Sequence, residues 1–535
     1  MKLRWPIGVC LSIENGMRAK HHRLNPEQKD HLKIMRENVY RRLLPEDFDA
    51  NTPVIIDERG FSWTRPKLDT LISNIASALL NIGVQPGDRV GAKIDKSVHS
   101  FCLYLATLRV GAVWLPMNTA YTQAEVELIL SDASPLVLVS SEPMEVPNVA
   151  CFTMASDGSG TLMQAANNTR NVQLVYRDSD DLAAILYTSG TTGRPKGAMI
   201  THGNLEFCAE TLADFWGVTR RDTLLHALPT FHAHGLFIAA NTMLAARASM
   251  VFLSRFDPEQ VLSLLPRATI FMGVPTLYSR LLASERLSKA LCENVRVFIS
   301  GSAPLSAETF EEFRARTGHS ILERYGMTET TVITSNPLSG ERVAGSVGYA
   351  LPGVSIVALR KDGGLAPVDE VGELVVKGPN VFKGYWNLPE KTAAEFTREG
   401  YFKSGDLVRI DSHDRIWIVG RNKDLIITGG YNVYPREVEA CLVSFSAVRD
   451  CAVIGVPHPD FGEGVIAVVE LKEKEVFEAK SVIADLSSRL AKYKIPKKIV
   501  VVPSLPRNAM GKIQKNELKE AFSSAFSSES CAVPN

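Results

Sequence analysis

A loop rich in hydroxyl groups and glycine follows a short apolar segment, and its residue types suit a phosphate ligand. The apolar run at 182–186 leads into YTSGTTGRPKG at 187–197. Glycine lets the backbone approach a ligand closely, and hydroxyl and backbone N–H groups donate to phosphate oxygens. Lys196 adds positive charge, but it stands between Pro195 and Gly197, so the loop is not a Walker A motif. The loop predicts a site for a nucleotide triphosphate, and the alternative is a flexible solvent-exposed loop.

The segments around this loop predict an α/β fold. Apolar residues recur with helical spacing over 67–83, and a strand-like segment follows at 88–94. The alternation continues with strand-like segments at 268–275 and 295–304, which indicates largely parallel sheets. We expect a large N-terminal domain of α/β subdomains with a small β subdomain near 340–420. A β–α–β pattern after residue 422 predicts a small, mobile α+β C-terminal domain.

Composition excludes several classes of protein. The 535 residues are too many for one hydrophobic core, and 59 Lys and Arg residues balance 59 Asp and Glu residues. A neutral chain has no general attraction to nucleic acid, and no apolar run approaches the ~20 residues of a membrane span. The eight cysteines are scattered. We therefore expect a reduced protein without zinc or disulfides. The predicted partners are small molecules, and the predicted oligomeric state is a monomer or homodimer.

The first 34 residues are basic and poor in acids, which is typical of targeting peptides. They lack a long apolar region and a small-residue cleavage site, and Met35 begins a new helical pattern, so an over-long start is the plainer interpretation. The predicted domains are an extension at 1–34, a large domain at 35–421 and a small domain at 422–535. The predicted location is the cytoplasm, with the mitochondrion as the alternative.

Further motifs follow the loop in a recognisable order. They are GSAPL at 301–305, ERYGMTET at 323–330, GYFKSGDL at 400–407, GRNKDLIITGGYNVYP at 420–435 and LPRNAMGKIQK at 505–515. Together they resemble the adenylate-forming superfamily, which includes the acyl-CoA synthetases. The resemblance implies that a carboxylate attacks the α-phosphate of ATP and that the acyl-adenylate is then transferred to a thiol. It also implies ATP, Mg²⁺ and CoA as co-substrates and cofactor.

The same resemblance implies roles for the motif residues. The β- and γ-phosphates would be held by Thr188, Ser189, Gly190, Thr191, Thr192, Gly193 and Lys196. Adenosine and the α-phosphate would be held by Ser302, Ala303, Pro304, Tyr325, Gly326, Thr328, Asp406 and Arg421. Glu329, a hard carboxylate, would bind Mg²⁺.

Lys512 would be the catalytic lysine, because an ammonium there neutralises charge on the reacting carboxylate and phosphate oxygens. The C-terminal domain would rotate about Lys423 after adenylation and bring a CoA-tunnel face near Gly430 to the active site. Thr328 and Glu329 complete the predicted catalytic set.

Two arginines suggest which acid is activated. Arg280 interrupts an otherwise apolar helical segment, Arg342 follows the acid-binding motif, and FHAHGLF at 231–237 contains His232 and His234. A second substrate carboxylate loses hydration on binding, and a guanidinium compensates for this loss. These segments resemble the malonyl-CoA synthetases, which implies that Arg280 and Arg342 hold the distal carboxylate with His234 nearby. Spacing alone favours the plainer interpretation, in which Arg280 forms a surface ion pair and Arg342 is a loop cation; the resemblance favours the substrate-binding one.

The predicted activity is ATP-dependent ligation of malonate, with methylmalonate as a further substrate, to CoA. Three alternatives stay open: an acyl-CoA synthetase for another short acid, an amino- or aryl-acid adenylation enzyme that loads a carrier protein, and an inactive nucleotide-binding protein.

Overall fold

The computed structural model describes residues 38–166, 172–188, 195–472, 477–507 and 511–526. The helices in this part of the chain are α1 (Tyr40–Leu43), α2 (Arg65–Ile82), α3 (Val98–Arg109), α4 (Gln123–Ala133), α5 (Thr161–Gln164), α6 (His202–Phe215), α7 (Asn241–Ala245), α8 (Pro258–Leu264), α9 (Pro275–Leu282), α10 (Ala307–Thr317), α11 (Pro389–Ala394), α12 (Pro435–Val443), α13 (Ala479–Arg489) and α14 (Lys515–Ala521). A π-helix spans His234–Ala240, and 3₁₀ turns span Leu265–Arg267, Asn422–Asp424 and Lys492–Lys494.

The strands in chain order are β1 (Pro53–Asp57), β2 (Ser62–Thr64), β3 (Arg89–Lys93), β4 (Val113–Pro116), β5 (Val137–Ser140), β6 (Ala150–Thr153), β7 (Leu182–Thr188), β8 (Lys196–Thr201), β9 (Thr223–His226), β10 (Ser249–Phe252), β11 (Ile270–Gly273), β12 (Val297–Ser300), β13 (Leu322–Tyr325), β14 (Thr334–Ser335), β15 (Tyr349–Ala350), β16 (Ser355–Leu359), β17 (Val371–Lys377), β18 (Gly384–Tyr385), β19 (Phe402–Ile410), β20 (Ile416–Arg421), β21 (Ile426–Thr428), β22 (Tyr431–Val433), β23 (Val448–His458), β24 (Gly462–Leu471) and β25 (Lys498–Val502).

The described strands form four sheets, three of them in the large domain. One has the order β15-β14-β13-β12-β11-β9-β10-β1-β2, and a second has the order β18-β8-β7-β4-β3-β5-β6. Both are parallel through their centres; the first is antiparallel at both margins, and the second is antiparallel only at its β7-β8-β18 margin. A third, antiparallel sheet with the order β16-β17-β19-β20 is the predicted β subdomain. The α/β class and the smaller C-terminal domain are thereby confirmed.

Local sequence signals explain several helix boundaries. Helix α2 follows the extended Thr64, has Pro66 in its first turn, and ends at Gly83, whose φ of 103° is left-handed. Helix α3 begins with a capping box in which the Ser97 hydroxyl accepts from the backbone N–H of Ser100. The helical pattern predicted for 67–83 and the strand predicted for 88–94 are both present, as α2 and β3.

The C-terminal domain has its own sheet and a core on each side of it. Strands β23 and β24 pair antiparallel through ten residue pairs, and β25 pairs with β24 in parallel. Successive side chains of a strand face opposite sides, so Val453 packs with helices α12 and α13 whereas Ile454 packs with α14. No helix in the described part of the chain is long and apolar enough to cross a membrane.

Candidate active site

The carboxyl ends of four neighbouring parallel strands define one side of the site. Strands β9, β11, β12 and β13 lie side by side. They lead respectively into FHAHGLF, helix α9, GSAPL and YGMTET. Because ligands of parallel sheets bind beyond the carboxyl ends of the strands, the topology collects four separate motifs at one edge.

The predicted phosphate loop connects β7 to β8 as a hairpin. Thr188 and Lys196 are paired across these antiparallel strands, so both flank the same loop. Ser189, Gly190, Thr191, Thr192 and Gly193 lie outside the described residues. The ammonium of Lys196 lies 5.3 Å from the centre of the Tyr385 ring, and desolvation is the main cause that lowers its pKa. The cation therefore lies at the end of the loop, in the first residue of β8.

Glu329 is a buried carboxylate, 7% exposed, and it lies near Lys196 and Arg421. The Tyr385 hydroxyl donates to its Oε1 at 2.9 Å. Burial raises the pKa of Glu329, while Arg421 and Lys196 oppose that rise. Thr328 beside it is half-buried, and at Gly326 a Cβ would lie 2.0 Å from the Thr331 carbonyl oxygen, so only glycine fits there.

Asp406 is the centre of a second polar cluster. It is 2% exposed and lies opposite Arg421 in the β19–β20 ladder, where Arg421 Nε donates to its Oδ1 at 2.9 Å. The Tyr325 hydroxyl donates to the other oxygen, Oδ2. Both carboxylate oxygens are thus held in a fixed position by groups from two strands of different sheets.

The GSAPL motif approaches the FHAHGLF segment. Ser302 has a left-handed φ of 72°, which is strained for a residue other than glycine, and its hydroxyl lies 3.1 Å from His234 Nδ1. His234 opens the π-helix, and Ala303 and Pro304 continue the loop toward solvent. Desolvation, with Arg324 next, lowers the pKa of His234 well below its usual value, so its ring is neutral.

Lys512 comes from the C-terminal domain into the midst of these groups. The charges of Arg421, Asp406, Arg324 and Glu329 all act on it, and Lys512 in turn acts on His232. Lys512 as a whole residue is exposed, whereas its ammonium is desolvated by the groups around it. Desolvation, followed by Arg421, lowers its pKa to about 8. The structure therefore brings the predicted lysine to the predicted nucleotide residues.

A cleft of about 990 Å³ extends from this region, lined by residues that include Arg280, Phe256, Thr276, Arg507 and Gly511. Arg280 is exposed, and its guanidinium carbon lies 4.8 Å from the centre of the Phe256 ring. Arg507 and Gly511 belong to the C-terminal domain, so both domains contribute to the walls.

Arg342 does not meet Arg280. Its guanidinium donates to the carbonyl oxygens of Ser320, Pro337 and Leu338 at 2.6–3.1 Å, and it is absent from the described residues that line the cleft. These contacts tie together two segments of the large domain. The assignment of Arg342 to a substrate carboxylate stays a prediction, without a contact that favours it.

Two residues in the site were missed by the sequence analysis. Tyr385 holds Glu329, and nothing in its local sequence indicates this partner. Arg324 lies within ERYGMTET on β13, and Gly301 leaves room for its side chain. Its sequence signal was a cation on the strand face that it shares with the buried Leu322.

The hinge and tunnel candidates lie on the C-terminal side of β20. Lys423 is exposed in the 3₁₀ turn Asn422–Asp424, near enough for its charge to lower the pKa of Lys196. Gly430 is exposed with a left-handed φ of 82° between β21 and β22. Within the described residues, no three His, Cys, Asp or Glu side chains are grouped so as to hold a metal ion.

This fold and cleft match a known class of enzyme. Residues 46–386 match the AMP-binding enzyme family, and residues 437–512 match the C-terminal domain of AMP-binding enzymes. The first match covers more than half of the chain, so the protein belongs to the AMP-binding enzyme family.

Individual relatives add detail. The chain is 35% identical over 515 residues to the mitochondrial malonate–CoA ligase of Mus musculus, with 87% of each chain covered. It is also 35% identical over 476 residues to a feruloyl-CoA synthase of an Amycolatopsis species, covering 86% of this chain and 94% of the relative. The crystal structure of ATP-bound MatB from Rhodopseudomonas palustris has a TM-score of 0.89 and 47% identity, covering 92% of this chain and 100% of that one.

Proposed function

We propose that this protein is a malonate–CoA ligase that converts malonate, ATP and CoA into malonyl-CoA, AMP and pyrophosphate. The main support is the position of Lys512 among Asp406, Glu329 and Arg324, three groups from a different domain. The names of the mouse relative and several other relatives supply the acid.

In the first half-reaction, a malonate carboxylate oxygen attacks the α-phosphorus of ATP, the bond to the bridging oxygen breaks, and pyrophosphate leaves. Lys512 neutralises charge on the reacting oxygens, and Thr328 donates its hydroxyl to the α-phosphate. Asp406 and Arg421 hold the ribose, and Tyr325 and the loop Ser302–Pro304 enclose the adenine.

The triphosphate binds to the loop at 188–196. Lys196 neutralises its terminal phosphates, and the hydroxyl and backbone donors of the loop orient them. Glu329 is a hard carboxylate held by Tyr385, and it would be the protein residue that holds Mg²⁺. When bound there, Mg²⁺ would supply positive charge that neutralises the phosphates.

In the second half-reaction, the thiol of CoA attacks the acyl carbonyl carbon and gives its proton to solvent, the bond from that carbon to the AMP phosphate oxygen breaks, and AMP leaves. Lys512 has no task in this step. We propose that the C-terminal domain turns about Lys423 and presents the face that contains Gly430 to the pantetheine arm.

A doubly anionic acid needs compensating cations. Arg280, Arg342 and His234 are the candidates from the sequence, and Arg280 has the more accessible guanidinium. The test is an acid panel of malonate, methylmalonate, butyrate and ferulate with ATP, Mg²⁺ and CoA, read by pyrophosphate release. We expect malonate to give the highest kcat/KM, and equal turnover of butyrate would refute the malonate assignment.

The feruloyl-CoA synthase relative carries the second candidate, an aryl-acid ligase. It requires a wide apolar pocket where the polar groups His232, His234 and Arg324 lie. Preference for ferulate in the panel would establish it, and transfer to a carrier protein without CoA would establish the carrier-loading alternative.

We further propose that the enzyme works in the cytoplasm. The alternative is the mitochondrion, which is supported by relatives that are named mitochondrial. A fluorescent protein fused to residues 1–34 decides between them by its location. Sedimentation of the full chain distinguishes the monomer from the homodimer.

A further inference from the structure

A buried lysine and a buried histidine contact each other between two sheets of the large domain. Lys96 lies between β3 and α3 and is 8% exposed, and His226 is the last residue of β9 and is 1% exposed. The Nζ atom of Lys96 lies 2.8 Å from His226 Nδ1 and 2.8 Å from the His226 carbonyl oxygen. Strands β3 and β9 belong to different sheets, so this pair connects the two sheets.

The other ring nitrogen of His226 contacts the π-helix. Its Nε2 lies 2.8 Å from the carbonyl oxygen of Gly235. Because a carbonyl oxygen can only accept, Nε2 carries a proton and donates it to this bond. Desolvation, with Lys96 next, lowers the pKa of His226 well below its usual value, so the ring is neutral. A neutral ring has one proton, so Nδ1 accepts from Lys96, and the two hydrogen bonds together determine the tautomer.

This pattern holds in either charge state of Lys96. Desolvation lowers the pKa of Lys96 well below its usual value, and Glu58 opposes that change. Both an ammonium and a neutral amine have the N–H groups that His226 Nδ1 and the His226 carbonyl oxygen accept. The Lys96 nitrogen also lies 4.3 Å from the centre of the Phe252 ring. Its contacts are with protein groups, which suits a residue that holds other residues in place.

The bond from His226 to Gly235 closes the base of a loop. Nine positions separate these residues, and His232 and His234 lie between them. A hydrogen bond between the two ends of a short loop fixes the loop relative to the strand that precedes it. A Cβ at Gly235 would lie 2.0 Å from the Pro229 carbonyl oxygen, so the backbone of the π-helix packs directly on the same loop. His226 therefore determines where the π-helix begins.

The loop carries polar atoms that are suited to a ligand. The Nε2 atoms of His232 and His234 are buried without a hydrogen-bond partner among the described residues. His234 Nδ1 lies 3.1 Å from the hydroxyl of Ser302, in the loop proposed to enclose the adenine. Burial of a lysine and a histidine costs free energy that an apolar pair would avoid. The geometry of this loop is the functional explanation for keeping them.

We propose that Lys96 and His226 are positioning residues that close the base of this loop and thereby orient His232 and His234 toward the acid. His226 contacts the loop directly, through Gly235, and Lys96 acts through His226. This inference rests on the proposed function, because that function supplies the acid.

Two substitutions of His226 test the bond to Gly235. The amide nitrogen of glutamine reaches the position of Nε2 and can donate to Gly235, whereas the amide of asparagine reaches only the position of Nδ1. We expect His226→Asn to lower kcat/KM for malonate by about 30-fold or more, and His226→Gln to lower it by less than about fivefold. Both variants lose the ring beside Phe252, so their difference reports the bond to Gly235. Equal losses would overturn the proposal.

A comparison of two acids separates positioning from stability. Isovalerate has two methyl groups in place of the oxygens of the distal carboxylate of malonate, so it gains less from polar groups in the site. In His226→Asn the ratio of malonate to isovalerate kcat/KM should fall by about tenfold, because the polar atoms of the loop are displaced. A lowered Tm with an unchanged ratio would assign the pair to stability alone and overturn the proposal.

A double-mutant cycle tests whether Lys96 acts through His226. Lys96→Met should lower kcat/KM for malonate by about tenfold in the wild-type background, but by less than about twofold in the His226→Gln background. The reason is that glutamine has no acceptor at the position of Nδ1. Additive losses would contradict the proposal. Lys93→Met, in the half-buried last residue of β3, is the matched control and should leave kcat/KM unchanged.

Nitrogen NMR of the wild-type protein with labelled histidine tests the tautomer directly. The signal of His226 is the one lost in whichever His226 variant folds, and we expect its proton on Nε2. A proton on Nδ1 would overturn the proposal. A wild-type enzyme that uses no diacid would refute the proposed function, whereas equal effects of the two His226 substitutions on an active enzyme would refute only the positioning role.

Discussion

The residues proposed to bind the nucleotide (the nucleotide half of the cleft) and those near the place proposed for the acid (the acid half) differ in how their polar groups are satisfied. On the nucleotide half, Asp406 is held by Tyr325 and Arg421, and Glu329 is held by Tyr385. On the acid half, Arg324, His232 and His234 have buried nitrogen atoms without partners among the described residues.

This difference teaches how the two substrates are recognised. The nucleotide groups are oriented in advance by the protein, so binding ATP exchanges one set of hydrogen bonds for another. The buried nitrogen atoms of the acid half have no protein partner among the described residues. An acid that cannot form hydrogen bonds with them leaves them unpaired and therefore binds less favourably. The prearranged hydrogen bonds of the nucleotide half favour a fixed binding geometry. The unpaired groups of the acid half favour discrimination between acids.

The largest expected effect comes from the lysine that serves both halves. Lys512→Ala should slow adenylation by about 10³-fold, because the charge on the reacting oxygens is no longer neutralised. Thioester formation from supplied malonyl-adenylate should persist within about threefold. Pyrophosphate exchange and CoA consumption measure the two half-reactions, and equal damage to both would contradict the exchange of domain positions.

Asp406→Asn should affect only the nucleotide half. Losing the charged acceptor should raise the KM for ATP by about 10- to 100-fold, as expected for hydrogen bonds to an ionised group. The ratio of malonate to isovalerate kcat/KM at saturating ATP should stay unchanged. A changed acid preference in the steady-state assay would show that the two halves are coupled.

The low pKa of Lys512 predicts a pH dependence of the first half-reaction. Desolvation holds this pKa at about 8, so the ammonium is present below that pH and is lost above it. The kcat/KM of adenylation for ATP should therefore decline above about pH 8, toward tenfold per pH unit. Thioester formation should lack this decline, and a shared alkaline limb would argue against Lys512 as its source.

Tyr385→Phe should give the smallest change. It removes a single hydrogen bond to Glu329, worth about 1 kcal/mol, and leaves the ring beside Lys196. We expect the Mg²⁺ concentration for half-maximal activity to rise about fivefold with an unchanged acid preference. Titration of Mg²⁺ at fixed ATP measures this, and no rise would remove Glu329 from the metal assignment.

The sequence predicted the elements that carry local signals. Helix α2 was predicted from its apolar period and Gly83, and the C-terminal α+β domain from the alternation of β23, β24 and α13. The order of the motifs identified the family, because each motif is a continuous segment. Arg324 was overlooked since its residue type does not reveal whether a partner is present.

What the sequence by itself determined was the class of the protein, and it also predicted the residues proposed to bind the nucleotide. Hydroxyl-rich, glycine-rich and acidic motifs keep their chemistry wherever the chain places them. Only the tertiary structure decided which cationic side chains are free to bind a ligand and which are already bonded to the protein. Arg342 meets carbonyl groups on segments packed beside it, Lys512 reaches Asp406 across a domain boundary, and Arg324 is buried without a counter-ion. Burial and partnership depend on packing between distant segments, and these determine what a charge contributes.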